Sequence, residues 1–134
     1  YLSLFEEGEK LIDDNDDSVM TDTAKCLHTG VDIHQVKLKR QANAVCIIKG
    51  LEELGIKPLI PVADDVVPLF VPIYLENRNE VRKRMFQHEV FCPVHWPLEG
   101  MNVKLGANMA AHETSLIVDQ RYTNSDMDLI LSLL

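Results

Sequence analysis

Hydrophobic positions recur along this chain with two different periods. From Tyr1 to about Ile12, Leu4, Gly8, Leu11 and Ile12 share one side of a helical wheel while Glu6, Glu7, Glu9 and Lys10 lie elsewhere, which predicts a short amphipathic helix. Thr21 to His28 predicts a second, ended near Gly30. Asp32 stands at an N-cap position before the strongest periodic segment, in which Ile33, Val36, Ala44, Ile47, Leu51 and Leu54 recur at helical spacing and Gly55 supplies the stop. Such a helix runs about 22 residues, close to 33 Å at about 1.5 Å per residue, and a helix of that length often connects two domains.

After Gly55 the period shortens. KPLIPV at 57–62 and PLFVPIYLE at 68–76 predict strands, with Pro68 and Pro72 placing the second at an edge or a bulge. Asn77 and Glu80 have capping-box spacing, and RNEVRKRMFQH continues as a helix with Val81, Met85 and Phe86 toward the core. VFCPVHWP at 90–97 predicts a third strand, 98–109 a loop, and HETSLIVDQRY a short helix or turn leading into a strand at 116–118. Ser125 and Asp128 form a second S-x-x-D cap before a last helix, MDLILSLL. The fold class that follows is α+β in two layers: a small, mostly antiparallel sheet against helices that include one long one. The expected organisation is a helical segment at 1–31, the long connecting helix at 32–55 and an α/β part at 56–134.

Composition narrows the function classes. The 134 residues are 46% hydrophobic and 25% charged, which excludes a collagen-like repeat or a disordered acidic tail. Thirteen Lys+Arg against 21 Asp+Glu give a formal charge of -8, and a nucleic-acid partner is not expected. Three cysteines, Cys26, Cys46 and Cys92, match no disulfide framework, which favours a reducing, cytoplasmic setting. No run approaches the roughly 20 apolar residues of a membrane span, so no membrane partner is expected. YLSLFEEGEK has neither an initiator Met nor a signal-peptide pattern, and DLILSLL stops within a helical pattern. The chain therefore reads as a piece of something longer.

Candidate chemistry is sparse. Asp13, Asn15 and Asp17 imitate the opening of a calcium loop, but Ser18 and Ala24 stand where such a loop needs Gly and Glu. Cys92 and His95 have zinc-ligand spacing without a second pair, so no metal site is expected and Cys92 reads as a small buried residue. There is no nucleophile elbow, dinucleotide fingerprint or P-loop, and none of the eight lysines sits in a setting suited to Schiff-base chemistry. Polar and aromatic residues instead gather at strand ends: His95 and Trp96 before Pro97, and Asp119, Gln120, Arg121 and Tyr122 before the last helix. The bland reading is that Trp96 covers the core and Arg121 pairs with Asp119 or Asp126. Together they form a candidate rim.

Three stretches carry a resemblance. Arg40-x-x-Asn43 in the long helix, PLFVPIYLENRNEVRKRMFQHEVFCPVHWP at 68–97 and ETSLIVDQRYTNSDMDLILSLL at 113–134 resemble, in order and spacing, the C-terminal part of DegT/DnrJ-type sugar aminotransferases, which are fold-type I pyridoxal-phosphate enzymes. The match spans about residues 30–134. It implies a small domain led by a long helix, with the cofactor-bearing lysine in a large domain upstream. The resemblance further implies pyridoxal phosphate in the intact protein, none bound to this chain, a nucleotide-linked keto-sugar as substrate, and a homodimer. His95 and Trp96 match the loop that approaches the active-site mouth, and Arg121 and Tyr122 match the closing motif that meets substrate or the large domain. Two departures stand out: Ile117-Val118 replaces the usual Leu-Pro, and Leu98-Glu99-Gly100 shortens the continuation after His-Trp-Pro. They leave room for a relative that transfers another group. The alternative is a complete α+β binding module without catalysis.

Overall fold

A computed structural model describes residues 2–13, 19–63, 65–95 and 106–134. The protein is α+β. Its order is α1 (Leu2–Asp13), α2 (Asp22–Thr29), α3 (Ile33–Glu53), β1 (Phe70–Tyr74), α4 (Arg78–Gln87), α5 (Ala107–His112), β2 (Glu113–Ile117) and α6 (Asn124–Ser132). The chain divides into two compact units, 1–32 and 33–134. Most of the acidic loop at 13–17 lies outside the described residues, as does Trp96. Among the described residues no helix is long and apolar enough to cross a membrane.

The first unit holds α1 and α2. Thr21 caps α2 by accepting a hydrogen bond from the Ala24 amide at 3.2 Å, and Gly30 closes it. Leu4, Leu11 and Leu27 stay exposed, and α2 buries no residue.

The second unit holds the core. α3 buries Asn43, Ala44, Ile47 and Leu51, one face of its C-terminal half. The outlying members of the apolar pattern, Ile33 and Leu54, remain exposed. Against that face pack Val71 and Ile73 of β1, Val81 and Met85 of α4, Leu116 of β2 and Met127 and Ile130 of α6. Phe86, expected to face inward with Met85, is 43% exposed, because an i, i+1 pair cannot share one helix face. At the C-terminus of α3, the Ile56 amide bonds the Leu51 carbonyl at 2.9 Å and the Gly55 amide bonds the Glu52 carbonyl at 3.0 Å. Gly55 has φ 71°. This is a Schellman ending, which needs a residue at ease in left-handed backbone.

Among the described residues the sheet has two antiparallel strands, with Phe70 opposite Ile117, Pro72 opposite Ser115 and Tyr74 opposite Glu113. Residues 57–62, expected as a strand, make only an isolated bridge, Pro58 to Ile73, together with a Leu59 amide to Pro72 carbonyl bond at 2.8 Å. Residues 90–95, also expected as a strand, stay irregular and meet β2 through the Pro93 carbonyl, which accepts from the Ser115 amide at 3.0 Å. Prolines explain both outcomes, since a residue without an N–H cannot carry a ladder forward. The strand expected at 116–118 begins three residues earlier, directly after α5, and that helix occupies part of the expected 98–109 loop.

Two caps also differ. Asn77 holds the N-cap position of α4 without a side-chain hydrogen bond. The box on α6 is made by Thr123 and Asp126 rather than Ser125 and Asp128. Asp126 Oδ2 accepts from the Thr123 amide at 2.6 Å and from its hydroxyl at 2.7 Å.

Candidate functional site

Polar side chains lie in the first half of β2 and again beyond its C-terminal end, and each group meets a different element. Beyond its C-terminal end the chain turns through Asp119 to Tyr122 before α6 begins. One turn of α3 meets this bend. Arg40 Nε donates to Gln120 Oε1 at 2.6 Å, and an Arg40 guanidinium nitrogen lies 3.9 Å from Asp119 Oδ2. Three residues on, Asn43 is fully buried and its Nδ2 donates to the carbonyls of Asp119 at 2.8 Å and Tyr122 at 3.2 Å. The helical i, i+3 spacing puts both side chains on the same face, so they clasp the bend together.

Arg121 pairs with Asp119 rather than Asp126. Its Nε donates to Asp119 Oδ1 at 2.9 Å and a terminal nitrogen donates to Oδ2 at 3.2 Å, while the Arg121 amide also bonds Oδ1 at 2.9 Å. These side-chain bonds hold the Asp119 carboxyl below the ordinary carboxylate range; its partial burial opposes them, and the Arg121 amide and the Arg40 charge add to them. The Arg121 side chain is 73% exposed, so the pair contributes at most about 1 kcal/mol to stability. Its guanidinium carbon lies 5.9 Å from the Tyr122 ring centre. Tyr122 in turn lines a pocket of about 330 Å³ with Phe91, Leu129, Glu89 and Asp126. Glu89 enters that pocket from left-handed backbone, φ 59°, an uncommon conformation for a non-glycine residue.

At the other end, His95 lies against β2. Its amide donates to Glu113 Oε2 at 3.1 Å and its Nδ1 sits 3.0 Å from Ser115 Oγ. Ser115 Oγ donates to Glu113 Oε1 at 2.6 Å. The His95 ring packs 4.9 Å from Phe70, centre to centre. Glu113 and Ser115 are both buried, while the His95 side chain keeps 31% of its exposure. Serine, histidine and an acid invite comparison with a hydrolytic triad, but the arrangement is wrong for one. The serine proton goes to the acid and the hydroxyl is buried, so no base activates it for attack.

Of the four rim residues expected from sequence, the three that are described meet different partners. His95 belongs to the first half of β2, Arg121 and Tyr122 belong to the bend after it, and Trp96 lies outside the described residues. Glu113 and Ser115 escaped the sequence reading. The signal was present, since polar residues two apart on a strand share a face, but it needed the strand to start at 113.

Every described lysine is exposed or half-exposed, so none has the desolvated setting in which a Schiff-base lysine works. Among the described residues, no lysine fits a pyridoxal-phosphate anchor. Cys92 is buried, and burial pushes its thiol up. Among the described residues no group of three or more His, Cys, Asp or Glu side chains is placed to hold a metal ion. Neither a family model nor a curated protein matches the chain.

Proposed function

We propose that this chain is the small domain of a fold-type I pyridoxal-phosphate-dependent transferase of the DegT/DnrJ sugar-aminotransferase kind. The observation that carries the reading is the clasp between α3 and the bend after β2. Arg40-x-x-Asn43 and Asp119-Gln120-Arg121-Tyr122 belong to separate stretches of the resemblance, about 80 residues apart. Their side chains and backbone meet through Arg40–Gln120 and the two Asn43 bonds. Motifs that share one physical task form a more specific pattern than short matches taken singly.

In this reading the chain supplies the wall of a cleft and not its reactive floor. Pyridoxal phosphate, when bound to the intact protein, acts as an electron sink for amino-group transfer. Its anchoring lysine and phosphate contacts come from a large domain that precedes residue 1. The substrate is a nucleotide-linked keto-sugar, the amino donor an amino acid such as glutamate, and the intact enzyme a cytoplasmic homodimer. His95 and Trp96 stand at the mouth of the cleft, with Arg121 and Tyr122 near the large domain or the substrate. The chain alone is inactive.

The test uses the complete reading frame that contains this sequence. Its product, purified with pyridoxal phosphate and reduced with borohydride, should yield a pyridoxyl-lysine peptide mapping upstream of Tyr1. A product that traps no cofactor removes the proposal and leaves the binding-module reading; a pyridoxyl group on one of the eight lysines here removes both.

A further inference from the structure

The hydrogen bonds around His95 assign its protons. Ser115 has one hydroxyl hydrogen. A carboxylate offers only acceptors, and the 2.6 Å Ser115 to Glu113 contact has the length of a hydroxyl donating to a charged oxygen. That hydrogen is therefore committed to Glu113 Oε1. Ser115 Oγ then faces His95 Nδ1, 3.0 Å away, with lone pairs only, so Nδ1 must carry the hydrogen between them. The second Glu113 oxygen fixes the backbone of the same residue by accepting the His95 amide at 3.1 Å. Phe70 closes one side of the ring. One buried carboxylate thus holds both the main chain and, through Ser115, the imidazole of a partly exposed histidine.

We propose that Glu113 and Ser115 are positioning residues that lock neutral His95 in its Nδ1–H tautomer, which makes Nε2 the atom that accepts hydrogen bonds and protons. The assigned role is that of an oriented acceptor, the arrangement by which a carboxylate or a relayed oxygen sets which imidazole nitrogen acts. The inference holds whether or not the transferase reading stands, since it rests only on contacts within residues 70–115.

The test is a long-range proton–nitrogen correlation spectrum of the 15N-labelled chain at a pH where the His95 ring is neutral. A protonated Nδ1 and an unprotonated Nε2 are expected. The opposite pattern, or a fast average of the two tautomers, overturns the assignment without any variant. Ser115→Ala should move the pair of ring nitrogen resonances toward the Nε2–H form that free histidine prefers in water, and Ser115→Thr, which keeps the hydroxyl, should restore the wild-type pattern. A Ser115→Ala chain that folds and still shows Nδ1–H refutes the serine relay.

Discussion

Gly50 lies in the interior of α3, where glycine costs about 1 kcal/mol relative to alanine. Replacing it with alanine would ordinarily stabilise the helix by that amount. Here Leu131 of α6 occupies the space. A Cβ at position 50 would stand 2.8 Å from Leu131 Cδ2 and 3.0 Å from Cγ, and nearer still to Cδ1. Carbon atoms in ordinary contact are about 3.5–4.0 Å apart, so the leucine side chain or the helix must move. Overpacking of this kind typically costs about 1–3 kcal/mol. Set against the helix gain of about 1 kcal/mol, Gly50→Ala should destabilise the chain by about 1 kcal/mol, lowering Tm by a few degrees. Truncating Leu131 to Ala removes the obstructing atoms. In that background Gly50→Ala should change sign and stabilise by about 0.5–1 kcal/mol. The assay is urea unfolding followed by circular dichroism on the four chains of the cycle. If Gly50→Ala stabilises the otherwise native chain, or has the same effect in both backgrounds, the close approach of α3 and α6 does not govern this position.

Asn43→Ala removes two hydrogen bonds, a buried one to the Asp119 carbonyl and a part-buried one to the Tyr122 carbonyl, and should cost about 1–3 kcal/mol, and Asn43→Asp should cost more, because it aims a carboxylate at both carbonyls; urea unfolding ranks them, and an Asp variant as stable as the Ala variant would contradict the clasp. Asp119 titrates below its unfolded value, so it contributes stability above the ordinary carboxylate range that is lost as pH falls through its native value. Thermal unfolding between about pH 6 and pH 2 should show this loss, and Asp119→Asn should flatten the slope; an unchanged slope would mean that other carboxylates carry it. Iodoacetamide should label exposed Cys26 first and half-buried Cys46 more slowly, its thiol pushed up by burial and by Asp128. Cys92 should react only on unfolding, which peptide mass spectrometry of a time course reads directly; equal rates for Cys26 and Cys92 would contradict the burial of Cys92.

The helices were legible because their information is local. The apolar period of α3 and its stop at Gly55 both stand in the residues themselves, as do Val81 and Met85 of α4. Strands depend on what pairs with them, and here the text misled. KPLIPV and VFCPVHWP have strand-like composition, yet Pro58 and Pro93 turn each into a flanking segment with a single bond or bridge. Pro72, which argued against a regular strand, sits harmlessly in β1. Opposite it the Ser115 amide points outward to Pro93, so in this pair the missing proline donor also faces away from the partner strand. The cap of α6 was misplaced by two residues because Ser125-x-x-Asp128 and Thr123-x-x-Asp126 satisfy the same pattern, and only backbone geometry chooses between them. The rim was legible as residue types and not as geometry. Arg121 met the plain expectation of pairing with Asp119, while the contacts that give His95 a defined chemistry came from Glu113 and Ser115, hidden in what read as a turn.

The prolines that cut short the flanking segments have a colloidal consequence. A two-stranded ribbon ordinarily exposes two rows of unpaired amides and carbonyls, an open invitation for another chain to add itself. Here residues 58–59 cover the outside of β1 and Pro93 covers the outside of β2, and neither proline has an N–H to offer a newcomer. Each flank is thereby covered at one point by a segment whose proline cannot donate to a further strand. Among the described residues, edge-to-edge addition of another strand is thereby disfavoured where Pro58 and Pro93 lie.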